Sequence, residues 1–375
     1  MSWSDRVASR LADIRQADQW RTVQPLDGHL PSVTRDGDPV VSFASNDYLG
    51  LASHPTVVAA AHQALDRWGA GSGASRLVVG GRPVHDELER ELADWRGQEA
   101  ALLLPTGYMA NLGVLATLAA SPEVLIVSDA LNHASIVDGC RLARGQVAIA
   151  RHADVAHVEA LLQGHAGPAV VVTDTVFSMD GDEAPLTALA DVCRRRGALL
   201  VLDEAHAVLG PALPVPPAGD ELALVRIGTL SKALGSVGGF VAASQDVVDL
   251  LVNAARPFIF TTAPAPADTA AALAAVRLVR SEEGRALTQR LRGHVDAIAP
   301  GHPSPIVPVV LGAEHAALEA AASLLRQGLL VPAIRPPTVP AGTSRLRITL
   351  SAAHTEGDVE RLVKTLADLP APGAA

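Results

Sequence analysis

Seven short apolar runs, separated by stretches of helical character, constrain the fold of this chain more than any other sequence feature. Most of the runs are continuous rather than alternating, which is typical of strands buried on both faces of a parallel sheet. The sequence therefore predicts an α/β fold with a mainly parallel seven-stranded sheet covered by helices. The predicted strands are residues 101–104, 124–127, 147–150, 169–173, 198–202, 225–228 and 239–242.

The flanking regions predict the remaining organisation. Trp3, Val7, Leu11 and Ile14 recur at helical spacing, so we expect an amphipathic first helix that docks on a larger body. Prolines at positions 55 and 83 begin two predicted helices that end near glycines 69 and 97. A chain of 375 residues is too long for one simple core. We predict an N-terminal helix and arm over 1–45, a large domain over 46–256 that carries the seven-stranded sheet, and a smaller C-terminal α+β domain over 257–375.

Composition excludes several classes of function. The formal net charge of −10 argues against nucleic acid or an anionic membrane as the main partner. Cys140 and Cys193 form neither a disulfide framework nor a metal-ligand spacing, so we expect no metal and a cytoplasmic location. The N-terminus lacks the regions of a signal peptide, and no apolar run is long enough to span a membrane.

Lys232 stands out because it is one of only two lysines, while arginine supplies the other 28 of the 30 basic residues. It lies in a run of small and apolar residues, where a primary amine can be tuned to its nucleophilic neutral form. An ordinary loop lysine is the alternative. The second lysine, Lys364, follows Glu360 by four residues and is expected to be its surface partner.

The ends of the predicted strands carry further polar residues. Ligands of open α/β sheets bind at the carboxyl ends of parallel strands, so these residues are expected to converge on one cleft. Each has an ordinary explanation by itself, such as a helix cap or a polar loop. Together they match the needs of pyridoxal phosphate: an amine, a carboxylate for the ring nitrogen, a stacking ring and a phosphate cradle. The candidates are Gly107 and Tyr108, His133, Ser178, Asp203 and His206.

A nucleotide-binding motif is the main competing explanation for the glycine-rich stretches. The run at 69–74 does not match G-x-G-x-x-G, and no P-loop motif occurs in the sequence. The run either lets the backbone approach a ligand closely or forms a flexible loop.

Five motifs spread over the chain resemble those of the α-oxoamine synthases. These are fold-type-I pyridoxal-phosphate enzymes that condense an amino acid with an acyl thioester and release carbon dioxide. The segment at 334–347 is most similar to members that use L-alanine and a pimeloyl thioester on acyl-carrier protein or coenzyme A; members that use glycine or serine are the alternative. The motifs are SNDYLG at 45–50, GSGASR at 71–76, FSMDGD at 177–182, DEAH at 203–206 and TLSK at 229–232.

The resemblance implies a role for each matching residue, and a homodimer with Thr261 and Thr262 as contacts to the neighbouring subunit. Two departures are Ala74, where the family usually has glycine, and a shortened loop after His206. The implied catalytic residues are Lys232, which binds pyridoxal 5'-phosphate, Asp203 and His133. The implied coenzyme contacts are Gly107, Tyr108, His133, Ser178, Asp203, His206, Thr229 and Lys232, and the implied substrate contacts are Arg21, Asn46, His133, Arg335 and Thr338.

Overall fold

A computed structural model describes residues 1–17, 19–210, 212–214 and 220–369. Strands occur in three groups along this part of the chain. They are β1 (Asp27–His29), β2 (Ser32–Arg35), β3 (Asp38–Ser42), β4 (Ala100–Leu104), β5 (Leu125–Asp129), β6 (Gln146–Ala150), β7 (Ala169–Asp174), β8 (Leu199–Asp203), β9 (Leu224–Thr229), β10 (Gly239–Ala243), β11 (Ile306–Gly312), β12 (Leu329–Leu330), β13 (Ala333–Ile334) and β14 (Ser344–Thr349).

Helices connect most of these strands, and the two helices predicted to begin at prolines are confirmed. Short helical turns also occur at Leu51–Ser53 and Arg76–Gly80. The helices are α1 (Trp3–Gln16), α2 (Pro55–Trp68), α3 (Pro83–Arg96), α4 (Gly107–Leu118), α5 (Ala134–Leu142), α6 (Val155–Gln163), α7 (Leu186–Arg196), α8 (Gln245–Ala254), α9 (Arg256–Ile259), α10 (Pro266–Val279), α11 (Glu282–Ile298), α12 (Glu314–Arg326) and α13 (Glu356–Ala367).

The largest sheet contains the seven strands that the apolar runs predict. Its order is β4-β10-β9-β8-β7-β5-β6. Neighbouring strands from β9 to β6 are parallel, whereas β10 is antiparallel to both β4 and β9. The prediction of a mainly parallel seven-stranded α/β sheet is therefore confirmed. The reversed direction of β10 was not predicted, because a continuous apolar run reads the same in either direction.

Two smaller sheets lie outside this core sheet. One has the order β1-β2-β3-β12, in which β12 pairs parallel to β3 although it comes from the C-terminal third of the chain. The other has the order β11-β14-β13 and is antiparallel. The predicted domain limits at 45 and 256 stay a prediction. Helix α10, which follows the second limit, packs against α2 and α3, which precede it.

Hydrophobic packing covers both faces of the seven-stranded sheet. On one face α4, α5 and α8 bury residues such as Val114, Ile136 and Leu251 against the strands. Helices α6 and α7 form another cluster with β5, β7 and β8. Since both faces of this sheet are covered, the ends of its strands are the part of the sheet that a ligand can reach. Four parallel strands, β5, β7, β8 and β9, have their carboxyl ends along one edge of the sheet. Their last residues are Asp129, Asp174, Asp203 and Thr229.

The first helix forms as predicted, but its expected docking is not observed. Helix α1 begins at a Ser2 cap and spans Trp3–Gln16. None of its residues, all of which the structure describes, is buried, and Trp3 is 80% exposed. The apolar spacing therefore identified the helix correctly but not a packing partner within the chain. No helix among the described residues has the length and apolar character needed to cross a bilayer.

We expect Gly239→Ala to destabilise the fold, because an added Cβ would overlap the backbone of Thr106 and Gly107. Backbone cannot rotate away as a side chain can, so a loss of about 1–3 kcal/mol is expected in the free energy of unfolding. Gly293→Ala is the matched control: its Cβ meets nothing within 4 Å, and alanine favours the helix. Urea denaturation of both variants checks this. Equal stability of the two variants would contradict the proposed overlap.

Candidate active site

Lys232 lies close to the carboxyl edge of the sheet, three residues after β9 ends. Its Nζ is 2.8 Å from Nε2 of His206. Burial lowers the pKa of Lys232, while the nearby carboxyl groups of Asp203 and Asp174 act in the opposite direction. The amine is therefore easier to deprotonate than that of a surface lysine, as a nucleophile or base requires.

His206 connects this amine to a second side chain. It is buried, and its Nδ1 lies 2.5 Å from the hydroxyl oxygen of Tyr48. Burial lowers the pKa of His206 well below its ordinary value, and the charges of Lys232 and Arg347 lower it further. The imidazole is therefore neutral in the folded protein near neutral pH.

Asp203, the last residue of β8, is 6% exposed. Its Oδ2 accepts a hydrogen bond of 2.7 Å from Nδ2 of Asn111, and its Oδ1 accepts one of 3.0 Å from the Ala205 N–H. These two donors hold the carboxylate in one orientation at the strand end. A buried carboxylate in this position suits a cationic ring nitrogen, because a charge removed from water needs a partner.

Asp174 at the end of β7 is a second buried carboxyl group at this edge. Its Oδ2 accepts a hydrogen bond of 2.7 Å from the His133 N–H. Burial raises the pKa of Asp174 well above its ordinary value, and the charge of Asp203 adds to this effect. Asp174 thus fixes the backbone from which the His133 side chain projects.

His133 caps α5 and exposes its ring at the edge of the sheet. Its Nδ1 lies 2.7 Å from the hydroxyl of Ser135. The ring of Tyr108 meets it edge-on, with ring centroids 6.4 Å apart. An oriented and accessible imidazole can stack on a planar ligand.

The N-terminus of α4 forms a candidate anion site. Thr106 caps the helix by accepting a 3.1 Å hydrogen bond from the Met109 N–H. The first N–H groups of a helix lack acceptors within the helix and therefore suit a phosphate. A Cβ at Gly107 would lie 3.3 Å from Cβ of Thr229, so a larger residue would crowd this space. Tyr108 is exposed, and its hydroxyl donates to Asp138.

These groups fit pyridoxal phosphate as a set. Lys232 offers the amine, Asp203 the carboxylate for the ring nitrogen, and the start of α4 the phosphate cradle. His133 is the exposed ring for stacking, while His206 and Thr229 are polar neighbours of these groups. Thr229 accepts from the Ser231 N–H at 3.2 Å and donates to the Gly238 carbonyl at 3.1 Å.

Arg347 on β14 contributes a buried guanidinium to the candidate site. It donates from Nε to the carbonyl of Ser178 at 2.5 Å and from Nη2 to Oδ1 of Asn46 at 3.2 Å. Asn46 Oδ1 also accepts from the Tyr48 hydroxyl at 3.1 Å. Arg347 therefore joins two predicted residues, Asn46 and Ser178, to the site. Ser178 accepts this hydrogen bond through its backbone carbonyl.

The other predicted substrate residues share a separate cleft of about 200 Å³. Arg21, Arg335 and Thr338 line it together with Gln19. Arg335 also lies 3.8 Å from Glu314. The cleft borders β13, which pairs with β14, the strand that carries Arg347. Thr261 and Thr262, predicted to contact a second subunit, lie in the loop between α9 and α10.

Four residues of the site had no role assigned from the sequence. Tyr48 lies in a quoted motif, and Arg347 ends the segment most similar to one branch of the family, so both carried a usable signal. Asn111 is four residues after Gly107 and hence on the same helical face, which is a weaker signal. Asp174 directly follows a predicted strand, as Asp203 does, and could have been found by the same rule.

A buried arginine contacts the described part of the loop after His206, the loop expected to be shortened. Arg226 of β9 contacts the carboxylate of Glu204 and donates to the Leu213 carbonyl at 2.6 Å. Arg96 lies 3.4 Å from the other oxygen of Glu204. Pro211 and residues 215–219 of this loop lie outside the described residues.

Comparisons with known proteins bear on the family and the fold. The model for aminotransferase class I and II matches residues 38–366. The chain is 48% identical to the 8-amino-7-oxononanoate synthase of Methylobacterium nodulans over 90% of this chain and 89% of that protein. It is 47% identical to the synthase of Halorhodospira halophila, over 96% and 94%. A solved serine palmitoyltransferase variant from S. paucimobilis, with a bound pyridoxal phosphate–myriocin aldimine, has a TM-score of 0.86, 30% identity and coverage of 97% of both chains.

We expect His206 to make the coenzyme-free protein less stable as pH falls from about 7.5 to about 5.5. Its lowered pKa means that the unfolded chain binds a proton that the folded chain does not, which costs at most about 1.4 kcal/mol per pH unit. His206→Asn should therefore show a shallower loss in urea denaturation at the two pH values. Substitution of the exposed His315 is the control. Equal pH slopes for wild type and His206→Asn would refute this assignment.

Proposed function

Because this chain belongs to the class I and II aminotransferase family and is a pyridoxal-phosphate-dependent acyltransferase, we propose that it condenses L-alanine with a pimeloyl thioester. The products are 8-amino-7-oxononanoate, carbon dioxide and the free thiol of the carrier, which is acyl-carrier protein or coenzyme A. This reaction belongs to biotin biosynthesis. The observation that carries the proposal is the presence of two arginine sites, one beside Lys232 and one in the neighbouring cleft, for substrates that bring two carboxylates.

Lys232, Asp203 and the start of α4 would hold the coenzyme by its aldehyde carbon, ring nitrogen and phosphate. When bound, pyridoxal phosphate supplies an electron sink for the amino acid Cα. Asp203 would keep the ring nitrogen protonated, because a buried carboxylate favours a cationic partner. His133 would stack on the ring, and His206, Thr229 and Ser178 would contact its polar substituents.

Lys232 is the proposed base that removes the Cα proton of alanine. Its pKa is lowered by burial, so more of the free amine is neutral at a given pH than in a surface lysine. His206 holds Nζ by a 2.8 Å contact and is itself held by Tyr48. This arrangement keeps the amine at one position while the proton moves to it.

Arg347 is the proposed partner of the alanine carboxylate. It is buried, and its charge lowers the pKa of both Lys232 and His206, so it lies near the reacting amine. A planar guanidinium binds both oxygens of a carboxylate and orients it. Asn46 accepts a hydrogen bond from Arg347 and would help to hold the guanidinium in this orientation.

Arg21 and Arg335 are the proposed partners of the second carboxylate, at the far end of the pimeloyl chain. The Arg347 N–H donates to the Pro332 carbonyl, three residues before Arg335. At the rise of a strand this spacing separates the two arginines by roughly 10 Å along the backbone. An extended acyl chain between the reacting carbon and the cleft would run in this direction, with Thr338 beside its carboxylate.

The bond changes balance when the leaving sulfur takes up one proton from solvent to become the thiol. A carbon–carbon bond forms between the alanine Cα and the thioester carbonyl carbon, and the carbon–sulfur bond breaks to release the thiol. The bond between Cα and the alanine carboxyl carbon then breaks, releasing carbon dioxide, and a proton returns to Cα. Lys232 is the group positioned to deliver that proton.

A homodimer is the proposed assembly. Leu77, Val78 and Val79 are exposed on the helical turn Arg76–Gly80, which contacts α9, and Phe260 at the end of α9 is 71% exposed. Monomeric proteins rarely expose a continuous apolar patch of this kind. Thr261 and Thr262 directly follow Phe260 and would lie at the same interface.

We expect the visible spectrum of the coenzyme-loaded protein to respond to L-alanine at lower concentration than to glycine or L-serine. Product formation from L-alanine and a pimeloyl thioester should follow, and Lys232→Ala should abolish turnover. The structural similarity to serine palmitoyltransferase favours serine as the second candidate substrate. A response to serine or glycine at lower concentration than to L-alanine would assign the protein to the members that use those amino acids. Substantial turnover by Lys232→Ala would refute Lys232 as the base.

Arg335→Ala should lower kcat/KM for a pimeloyl thioester by about ten- to a hundredfold, as expected for loss of hydrogen bonds to a charged group. A heptanoyl thioester, which lacks the distal carboxylate, should be affected far less. Arg326→Ala, which removes an exposed arginine on α12, is the matched control. Equal losses for the two thioesters would exclude Arg335 as the partner of the distal carboxylate.

A further inference from the structure

Asn111 is a buried amide at the centre of the candidate site, with only 1% of its surface exposed. Its Nδ2 donates to Asp203 at 2.7 Å and to the hydroxyl of Ser135 at 2.9 Å. Ser135 in turn lies 2.7 Å from Nδ1 of His133. One amide nitrogen therefore links the carboxylate assigned to the ring nitrogen with the imidazole assigned to stack on the ring.

We propose that Asn111 is a positioning residue that holds Asp203 and His133 in register on the coenzyme. This inference rests on the proposed function only in requiring that pyridoxal phosphate binds here, and it is independent of the amino acid and thioester used. Asn111 also lies on α4, whose N-terminus is the candidate phosphate site. The residue would therefore connect three parts of the coenzyme site that come from α4, α5 and β8.

The hydrogen-bonding of the amide supports a role for its donor half. Both hydrogens of Nδ2 have acceptors, whereas Oδ1 is buried and has no hydrogen-bond partner among the described residues. An unsatisfied buried acceptor is unfavourable and needs an explanation. A purely structural position would be better filled by an apolar side chain of the same size. The two donated bonds explain why an amide stands here.

The surroundings make this position sensitive to charge. Asp203 on β8 faces Asn111 directly, and the charges of Asp174 on β7, Lys232 after β9 and His133 before α5 all interact with Asp203 or with one another. A carboxyl group at position 111 would therefore share a proton with Asp203, as two adjacent carboxyl groups in a buried site do.

Two substitutions that keep the branching and the number of heavy atoms of the side chain separate positioning from simple packing. Asn111→Leu removes both donors at every pH. Asn111→Asp retains a donor while its carboxyl group is protonated and loses it when the pair releases its proton. The measurement is the dissociation constant of pyridoxal phosphate for the coenzyme-free protein, read from absorbance between about pH 6 and pH 9 and divided by the wild-type value at each pH.

We expect Asn111→Leu to bind the coenzyme about ten- to a hundredfold more weakly than wild type at all pH values. Asn111→Asp should bind close to wild type at the acidic end and progressively more weakly as pH rises. Ser135→Ala, which cuts only the branch to His133, should have a smaller effect that does not vary with pH. Thermal melting of each coenzyme-free variant measures the separate cost to the fold.

Parallel pH profiles for Asn111→Leu and Asn111→Asp would overturn the proposal, because packing alone does not depend on a shared proton. Wild-type affinity in Asn111→Leu would overturn it as well. If Asn111→Leu does not fold, the pH profile of Asn111→Asp decides alone: a profile parallel to wild type rejects the inference. Failure of the alanine assay with this pH contrast intact would refute the proposed substrates but not the role of Asn111.

Discussion

Placing several ionisable groups together away from water is the constraint on which the rest of this structure depends. Asp203, Asp174 and His206 are buried beside Lys232, and buried charges are unfavourable unless they are paired or hydrogen-bonded. The protein meets this demand with Asn111, Tyr48 and two backbone N–H groups, each from a different segment. The same burial lowers the pKa of Lys232 and the pKa of His206, because desolvation opposes the charged form of each side chain.

The sheet topology supplies the place where these groups can meet. Parallel strands β7, β8 and β9 bring their carboxyl ends to one edge, while the antiparallel β10 begins there. Gly239, the first residue of β10, lets the start of α4 approach the sheet. The candidate phosphate site at the start of α4, the Asp203 carboxylate and the Lys232 amine therefore come from separate connections but meet at this edge of the sheet.

The C-terminal part of the chain completes the site. Strand β14 carries Arg347 to Ser178 and Asn46, and Arg345 to Asp180. Cationic side chains on a strand of the smaller antiparallel sheet thus contact the segment that follows β7. The neighbouring strand β13 leads to Arg335, so the arrangement of one small sheet relates the two arginine sites to each other.

The sequence by itself determined the seven core strands, the proline-initiated helices and the position of Lys232 near a strand end, because these depend on local periodicity and on residue type. It also led to Asp203 and His206, since strand ends can be read from the same pattern. Strand direction, the unburied α1 and the meeting of Asn111, Asp174 and Arg347 were decided by tertiary structure. Those contacts join residues up to 301 positions apart, as Asn46 and Arg347 are, and hydrogen bonds between side chains depend on distances that no local pattern encodes.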